Sequence, residues 1–183
     1  MTKKYISFDI DGVLNDYPLC WLKFIEDEVG IRFNNTADAK NKLGNLYYEI
    51  KSKYRNSKYK FNLPISNEAL SLHADLVNKG YGIVISTSRP INDQLYPNLR
   101  SNTEDWLRKK GFHFDVLLYK MSEVLESNIL TDIIFHVDDE QKFVDEFKKN
   151  GVHAYHLCRN GPNYGNRIIC LTDLIVRGDV DVF

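Results

Sequence analysis

The sequence predicts an α/β fold: a Rossmann-like parallel sheet with helices on both faces and a small helical cap inserted after the first strand. Three observations carry that expectation. From residue 64 onward, short β-forming runs alternate with helix-length amphipathic segments, which is the rhythm of βαβ crossovers. The first β-forming run, Tyr5 to Phe8, passes at once into Asp9 and a turn at Gly12, as a short buried strand ending in a loop does. Residues 16–63 break the rhythm, with apolar residues at helical spacing and no clear strand.

Within that insertion, Trp21, Leu22, Phe24, Ile25 and Val29 predict one helix, and Leu43, Leu46, Tyr47, Ile50 and Tyr54 a second. Pro64, with Ser66 as N-cap, opens a helix through Leu70, Leu72, Leu76 and Val77 that Gly80 ends. A strand from Ile83 to Thr87 follows, then a helix from Leu99 to Lys110 carrying Trp106 and Leu107 and stopped by Gly111. The expected series continues with a strand from Val116 to Tyr119, a helix near Glu123 to Leu130 and a strand from Ile133 to Val137. It closes with a helix from Gln141 to Lys149 and a strand from Ala154 to Cys158. The expected division is therefore a core of residues 1–15 and 64–183 with a cap of residues 16–63. Gly30 and Gly44 are candidate hinges of the cap.

Composition narrows the function. The 183 residues are 43% hydrophobic, enough for one well-buried core and few for two. Lys and Arg number 24 against 25 Asp and Glu, so no basic field exists to hold a long nucleic acid by counterion release. The expected partner is a small molecule. Cys20, Cys158 and Cys170 fit neither a disulfide framework nor a zinc spacing. No run of 18 uncharged apolar residues occurs, and the opening MTKKYISFDIDG sets an acidic pair where a secretory signal needs an apolar region. The expected location is the cytoplasm, with no membrane anchor.

In such a sheet, ligands bind at the carboxyl ends of the strands. Those ends carry Asp9 and Asp11, then Thr87 and Ser88, then Lys120, then Asp138 and Asp139. Carboxylates from two strands would make an anionic pocket that needs a cation or bound protons. Oxygen donors select a hard ion, and magnesium suits Asp9, Asp138 and a substrate phosphoryl oxygen. Lys120 and the Thr87 hydroxyl would balance the remaining charge. Arg89 would hold phosphate, or another substrate group, by its planar fork, or else make a surface salt bridge. His136, inside a strand pattern, reads as a satisfied half-buried histidine.

The run FDIDGVLND resembles the first motif of the haloacid dehalogenase superfamily of phosphohydrolases. VISTSRP, LLYK and FHVDD resemble its second, third and fourth motifs in the family's order, so the likeness spans nearly the whole chain outside the insertion. The resemblance implies Asp9 as nucleophile, Asp11 as general acid and base, Thr87 as phosphate ligand and Lys120 as charge neutraliser. It also implies Asp138 and Asp139 as the metal arm, with Asp9 and Asp11 beside them, and Mg2+ as cofactor. Lys109 and Lys110 are the alternatives to Lys120, although a helix end stabilises cations there anyway. An Asp at position 11 points to a phosphatase, because family members that cleave carbon–halogen or carbon–phosphorus bonds usually lack one.

Substrate choice falls to the insertion, where Trp21, Phe33, Tyr47, Tyr48, Tyr54, Tyr59 and Phe61 either pack the cap or stack on a nucleobase. Tyr47 and Tyr54 are the candidate substrate contacts from the cap, beside Thr87, Ser88 and Arg89. The run Lys51, Lys53, Arg55, Lys58 and Lys60 reads as a solvated face that also steers anions. HLCRNGPNYGNRIICLTDLI resembles the tail of the deoxyribonucleotidase-like branch, and GYGIVISTSRP resembles the phosphatase domain of phage polynucleotide kinases. The expectation is a magnesium-dependent phosphomonoesterase for nucleoside monophosphates. The alternatives are a phosphatase for sugar phosphates or polynucleotide 3′ ends, and a non-catalytic phosphate-binding regulatory module.

Overall fold

The structure is a computed structural model that describes residues 3–91, 94–160 and 165–176, the side chain of Lys120 excepted. Its sheet contains six strands in the order β3-β2-β1-β4-β5-β6, every neighbouring pair parallel. They are β1 (Tyr5–Phe8), β2 (Gly82–Thr87), β3 (Val116–Tyr119), β4 (Ile133–Asp138), β5 (His153–Leu157) and β6 (Arg167–Ile168). Both neighbours of β1 come from later in the chain, β2 on one side and β4 on the other. The chain thus winds outward in one direction and then in the other, and this reversal opens a crevice at the carboxyl end of β1.

Two apolar clusters cover the sheet. One joins Phe8, Ile10, Ile85 and Val137 to Leu72 and Leu76 of α5 (Asn67–Asn78), Trp106 and Leu107 of α6 (Leu99–Lys109) and Leu174 of α9 (Thr172–Val176). The other joins Ile133 and Ala154 to Val124 of α7 (Lys120–Glu126) and to Val144 and Phe147 of α8 (Gln141–Lys149). With helices against both faces, β2 is buried along its whole length, as its unbroken apolar run requires. The Ser66 hydroxyl accepts from the Ala69 N–H at 3.2 Å, so Ser66 is the N-cap expected of it.

The insertion holds a third cluster of Trp21, Phe24, Ile25, Phe33, Tyr47, Ile50 and Tyr54. It is built from α1 (Leu19–Val29), α2 (Thr36–Leu43), α3 (Asn45–Asn56) and α4 (Lys58–Asn62). The second apolar pattern of this region is therefore two helices. Gly44 ends one and begins the other at φ +55°, a conformation that breaks regular helix. The helix expected near Glu123 begins three residues earlier, and a 3-10 turn at Leu130–Asp132 leads into β4. The two-residue β6 carries no strand signal of its own and exists through pairing with β5.

Candidate active site

The Asp9 N–H donates to the Val137 carbonyl at 2.9 Å, extending the β1–β4 ladder by one residue and fixing the Asp9 carboxyl beside Asp138. Carboxylate oxygens of Asp9, Asp138 and Asp139 lie within 4.8 Å of one another. Burial, reinforced by the charges of Asp138, Asp11 and Asp139, pushes the Asp9 carboxyl well above the usual carboxylate range. Burial and the neighbouring Asp138 and Glu140 likewise push Asp139 up to about 7. An all-oxygen set whose members repel one another fits a hard divalent cation, which would remove that repulsion on binding.

Neighbouring groups aim this set. The Asp138 Oδ1 accepts from the Glu140 N–H at 2.8 Å, and its Oδ2 lies 3.2 Å from His136 Nε2. His136 is fully buried, stacked on Phe147, with Nδ1 2.9 Å from the Ser7 hydroxyl. It is the satisfied histidine expected, although fully rather than half buried, and it holds the Asp138 carboxylate in place. Gly12, at φ +96°, lets the chain pass the Asp139 carboxylate, since a Cβ there would sit 2.2 Å from Oδ2.

Asp11 has cationic partners instead. Arg89 donates to it through Nη2 at 2.7 Å and Nε at 3.0 Å, Lys60 Nζ donates at 3.0 Å, and Asn15 Nδ2 donates at 2.9 Å. Burial raises the Asp11 carboxyl, but the Arg89 and Lys60 charges, with the hydrogen bonds, outweigh it and hold the group well below the usual range. Arg89 is only 3% exposed, its remaining nitrogen bonds Thr103 Oγ1, and its guanidinium lies over Trp106. The salt bridge expected at the surface is therefore a buried bidentate pair. Asp11 stands apart from the three-carboxylate cluster, and its side chain forms a contact between core and insertion through Lys60.

Asp9, Ser86, Thr87, Ser88 and Asp138 line one pocket. The Thr87 hydroxyl accepts from the Arg89 N–H at 3.3 Å, while Ser88 is exposed at the rim. Lys120 begins α7 directly after β3, and its side chain lies outside what the structure describes. Lys109 and Lys110 are both on the sequence expected for a helix end, and Lys110 Nζ donates to the Asn62 carbonyl.

Tyr47 and Tyr54 lie in the insertion's own cluster. The Tyr47 hydroxyl accepts from Trp21 Nε1 at 3.2 Å, and Tyr54 is fully buried with its hydroxyl 3.4 Å from Cys20 Sγ. In this arrangement Tyr54 offers no open ring face for a base. Lys60, read as solvated from sequence, is 4% exposed, and Lys51 is half-buried. The one signal was position: Lys60 lies near the end of the insertion, shortly before the chain returns to the core at Pro64.

No protein-family model matches the chain, and no curated protein matches it. Solved structures do. The HAD-hydrolase YfnB of Bacillus subtilis, bound to magnesium, superposes with a TM-score of 0.65 at 14% identity over 97% of this chain and 99% of that one. The L-2-haloacid dehalogenase RSc1362 gives 0.65 at 12% identity, covering 98% of this chain and all (100%) of that one. D,D-heptose 1,7-bisphosphate phosphatase of Burkholderia thailandensis gives 0.54 at 13%, covering 96% and 97%. The chain has the fold of the haloacid dehalogenase-type hydrolases, a fold shared by a phosphatase and a dehalogenase among these neighbours. Among the described residues no helix is long and apolar enough to cross a membrane.

Proposed function

We infer that this protein is a phosphomonoesterase of the haloacid dehalogenase type, with Asp9 as nucleophile. The observation that carries the reading is the meeting of Asp9 with the Asp138–Asp139 pair, beside Thr87 and Ser88, at the carboxyl end of β1. Asp9 attacks phosphorus, the ester P–O bond breaks, and the departing alkoxide takes a proton from Asp11, leaving an aspartyl-phosphate. Water then attacks phosphorus as the Asp11 carboxylate removes its proton, and the bond to Asp9 breaks to release phosphate. Asp11 reaches its acid form when substrate anions draw Arg89 and Lys60 from it. Asp9, Asp138 and Asp139 would hold magnesium, which would supply the charge neutralisation that lets one anion approach another. Thr87 and Ser88 donate hydrogen bonds to the phosphoryl oxygens, and Lys120 is the expected further cation.

The substrate is a small phosphate monoester, and the resemblance of the tail to the deoxyribonucleotidase-like branch favours nucleoside monophosphates. Phosphate release is measured from nucleoside monophosphates, sugar phosphates and a 3′-phosphorylated oligonucleotide, with magnesium and with chelator. Magnesium-dependent release is expected, fastest from the nucleotides. Equal rates on all three discard the nucleotide preference, and no release from these or an aryl phosphate discards the enzyme.

A further inference from the structure

Beside the pocket of Asp9 and Thr87 lies a second cavity of about 170 Å³, into which Asp9, Asp11 and Ser88 also open. Its far wall comes from the insertion and carries Lys51, Arg55 and Lys60, with Arg89 from the core. Four cations and three carboxylates, Asp9, Asp11 and Glu140, therefore share one small space.

Their pairing is uneven. Asp11 is occupied by Arg89 and Lys60, and Glu140 pairs with Lys142 outside the cavity. Lys51 Nζ donates to the Tyr17 hydroxyl at 3.0 Å and lies 4.3 Å from the Trp21 ring centre and 4.7 Å from that of Tyr17. Arg55 Nη1 donates to the Tyr96 hydroxyl at 3.1 Å. Among the described residues neither Lys51 nor Arg55 has a carboxylate partner. Burial, then the Lys60 and Arg55 charges, push the Lys51 ammonium down to about 7. Lys51 and Arg55, gathered on one wall with neutral hydroxyls as their protein partners, gain most from an anion the protein does not supply.

Resting on the phosphatase reading above, we propose that Lys51, Arg55 and Lys60 form a second anion subsite, so that a substrate, nucleotide or not, that carries another anionic group besides the phosphate removed is favoured over the corresponding simple monoester. The shared chemistry is a compact anion, a second phosphate or a carboxylate, within one small molecule. The insertion in this view selects by charge, with its aromatic residues supporting Lys51 from below.

The test is steady-state turnover by the full chain with magnesium, comparing phenyl phosphate with fructose 1,6-bisphosphate and 3-phosphoglycerate. Wild type is expected to favour at least one doubly anionic substrate by roughly tenfold or more in kcat/KM. Preference for the bisphosphate identifies a second phosphate as the group bound, and preference for 3-phosphoglycerate identifies a carboxylate. Lys51→Met and Arg55→Met are expected to bring that ratio toward one, a selective change that general loosening of the fold does not produce. Phenyl phosphate turnover with no preference in wild type overturns the subsite and leaves the phosphatase standing. A preference unchanged in both folded variants also overturns it, and if a variant fails to fold the wild-type ratio decides. If none of the three is turned over, the nucleotide and oligonucleotide panel above decides the phosphatase reading, and calorimetric binding of the same three compounds decides the subsite. Equal affinities then sink it, and tighter binding of a doubly anionic compound sustains it.

Discussion

On the sheet side of the cleft, Asp9, Asp138 and Asp139 crowd three carboxylates together with no lysine or arginine paired to them among the described residues. On the insertion side, Lys51 and Arg55 are cations whose protein partners are neutral hydroxyls. Asp11 stands between the two, bound to Arg89 and Lys60. The two sides differ in how they are held. The carboxylates sit on strand ends locked by the sheet ladder, whereas the insertion's cations stand on helices packed around their own aromatic cluster. Fixed strand ends suit reacting atoms, which need to be held closely. A separately packed element with a charged wall suits selection.

The carboxylate side breaks most completely at Asp9. Asp9→Asn is expected to lower phosphate release by about a thousandfold or more, while thermal melting without metal shows a stability equal to or above wild type, since one repelling charge is gone. Turnover near wild type would remove Asp9 from the role of nucleophile.

The link between the two sides is tested next. Arg89→Met leaves the half-buried Asp11 with Lys60 and Asn15, and urea unfolding is expected to show a loss of about 3 kcal/mol, the lower end for a broken buried pair. An unchanged midpoint would mean the pair contributes nothing to the stability of the fold.

Gly12→Ala should cost less, because the fold survives and the damage centres on one carboxylate. The added Cβ would displace Asp139 from its present position, at a φ that L residues rarely adopt. Magnesium affinity measured by calorimetry is expected to fall by roughly tenfold. An unaltered affinity would show that Asp139 is dispensable to the cation.

The smallest expected effect is one of pH. With its carboxyl pushed up to about 7, Asp139 holds a proton in the metal-free fold that the unfolded chain has already lost. Metal-free stability should therefore decline as pH rises from the ordinary carboxylate range through about 7. Magnesium and that proton compete, so stabilisation by magnesium should grow over the same interval. Melting curves at several pH values, with and without magnesium, check both signs, and a flat magnesium effect across pH 7 would detach Asp139 from the cation.

Much of the sheet side was legible because its signals are local. The alternation of apolar runs and amphipathic segments marks βαβ units, and in a parallel sheet whatever follows each strand arrives at the same edge. Asp9, Thr87 and Asp138 could be placed together on that ground alone. The insertion was legible only as helical. Its lysines and tyrosines recur at spacings equally compatible with a solvated face or a buried one, and the sequence does not say which neighbour faces Tyr54 or Lys60. Nor did the local pattern reveal that Arg89, one strand away from Asp11, would grip it through two nitrogens.

What the sequence determined by itself was the α/β architecture, the order of the strand ends and the acidic residues standing on them, because strand periodicity and βαβ handedness constrain these over short stretches of chain. Tertiary structure alone decided the rest: that Asp11 turns from the acidic cluster to Arg89 and Lys60, that Tyr47 and Tyr54 pack inward, and that Lys51 and Arg55 face the cleft. Each depends on where two elements far apart in the chain come to pack. Burial and charge pairing are set by that packing and by no local spacing.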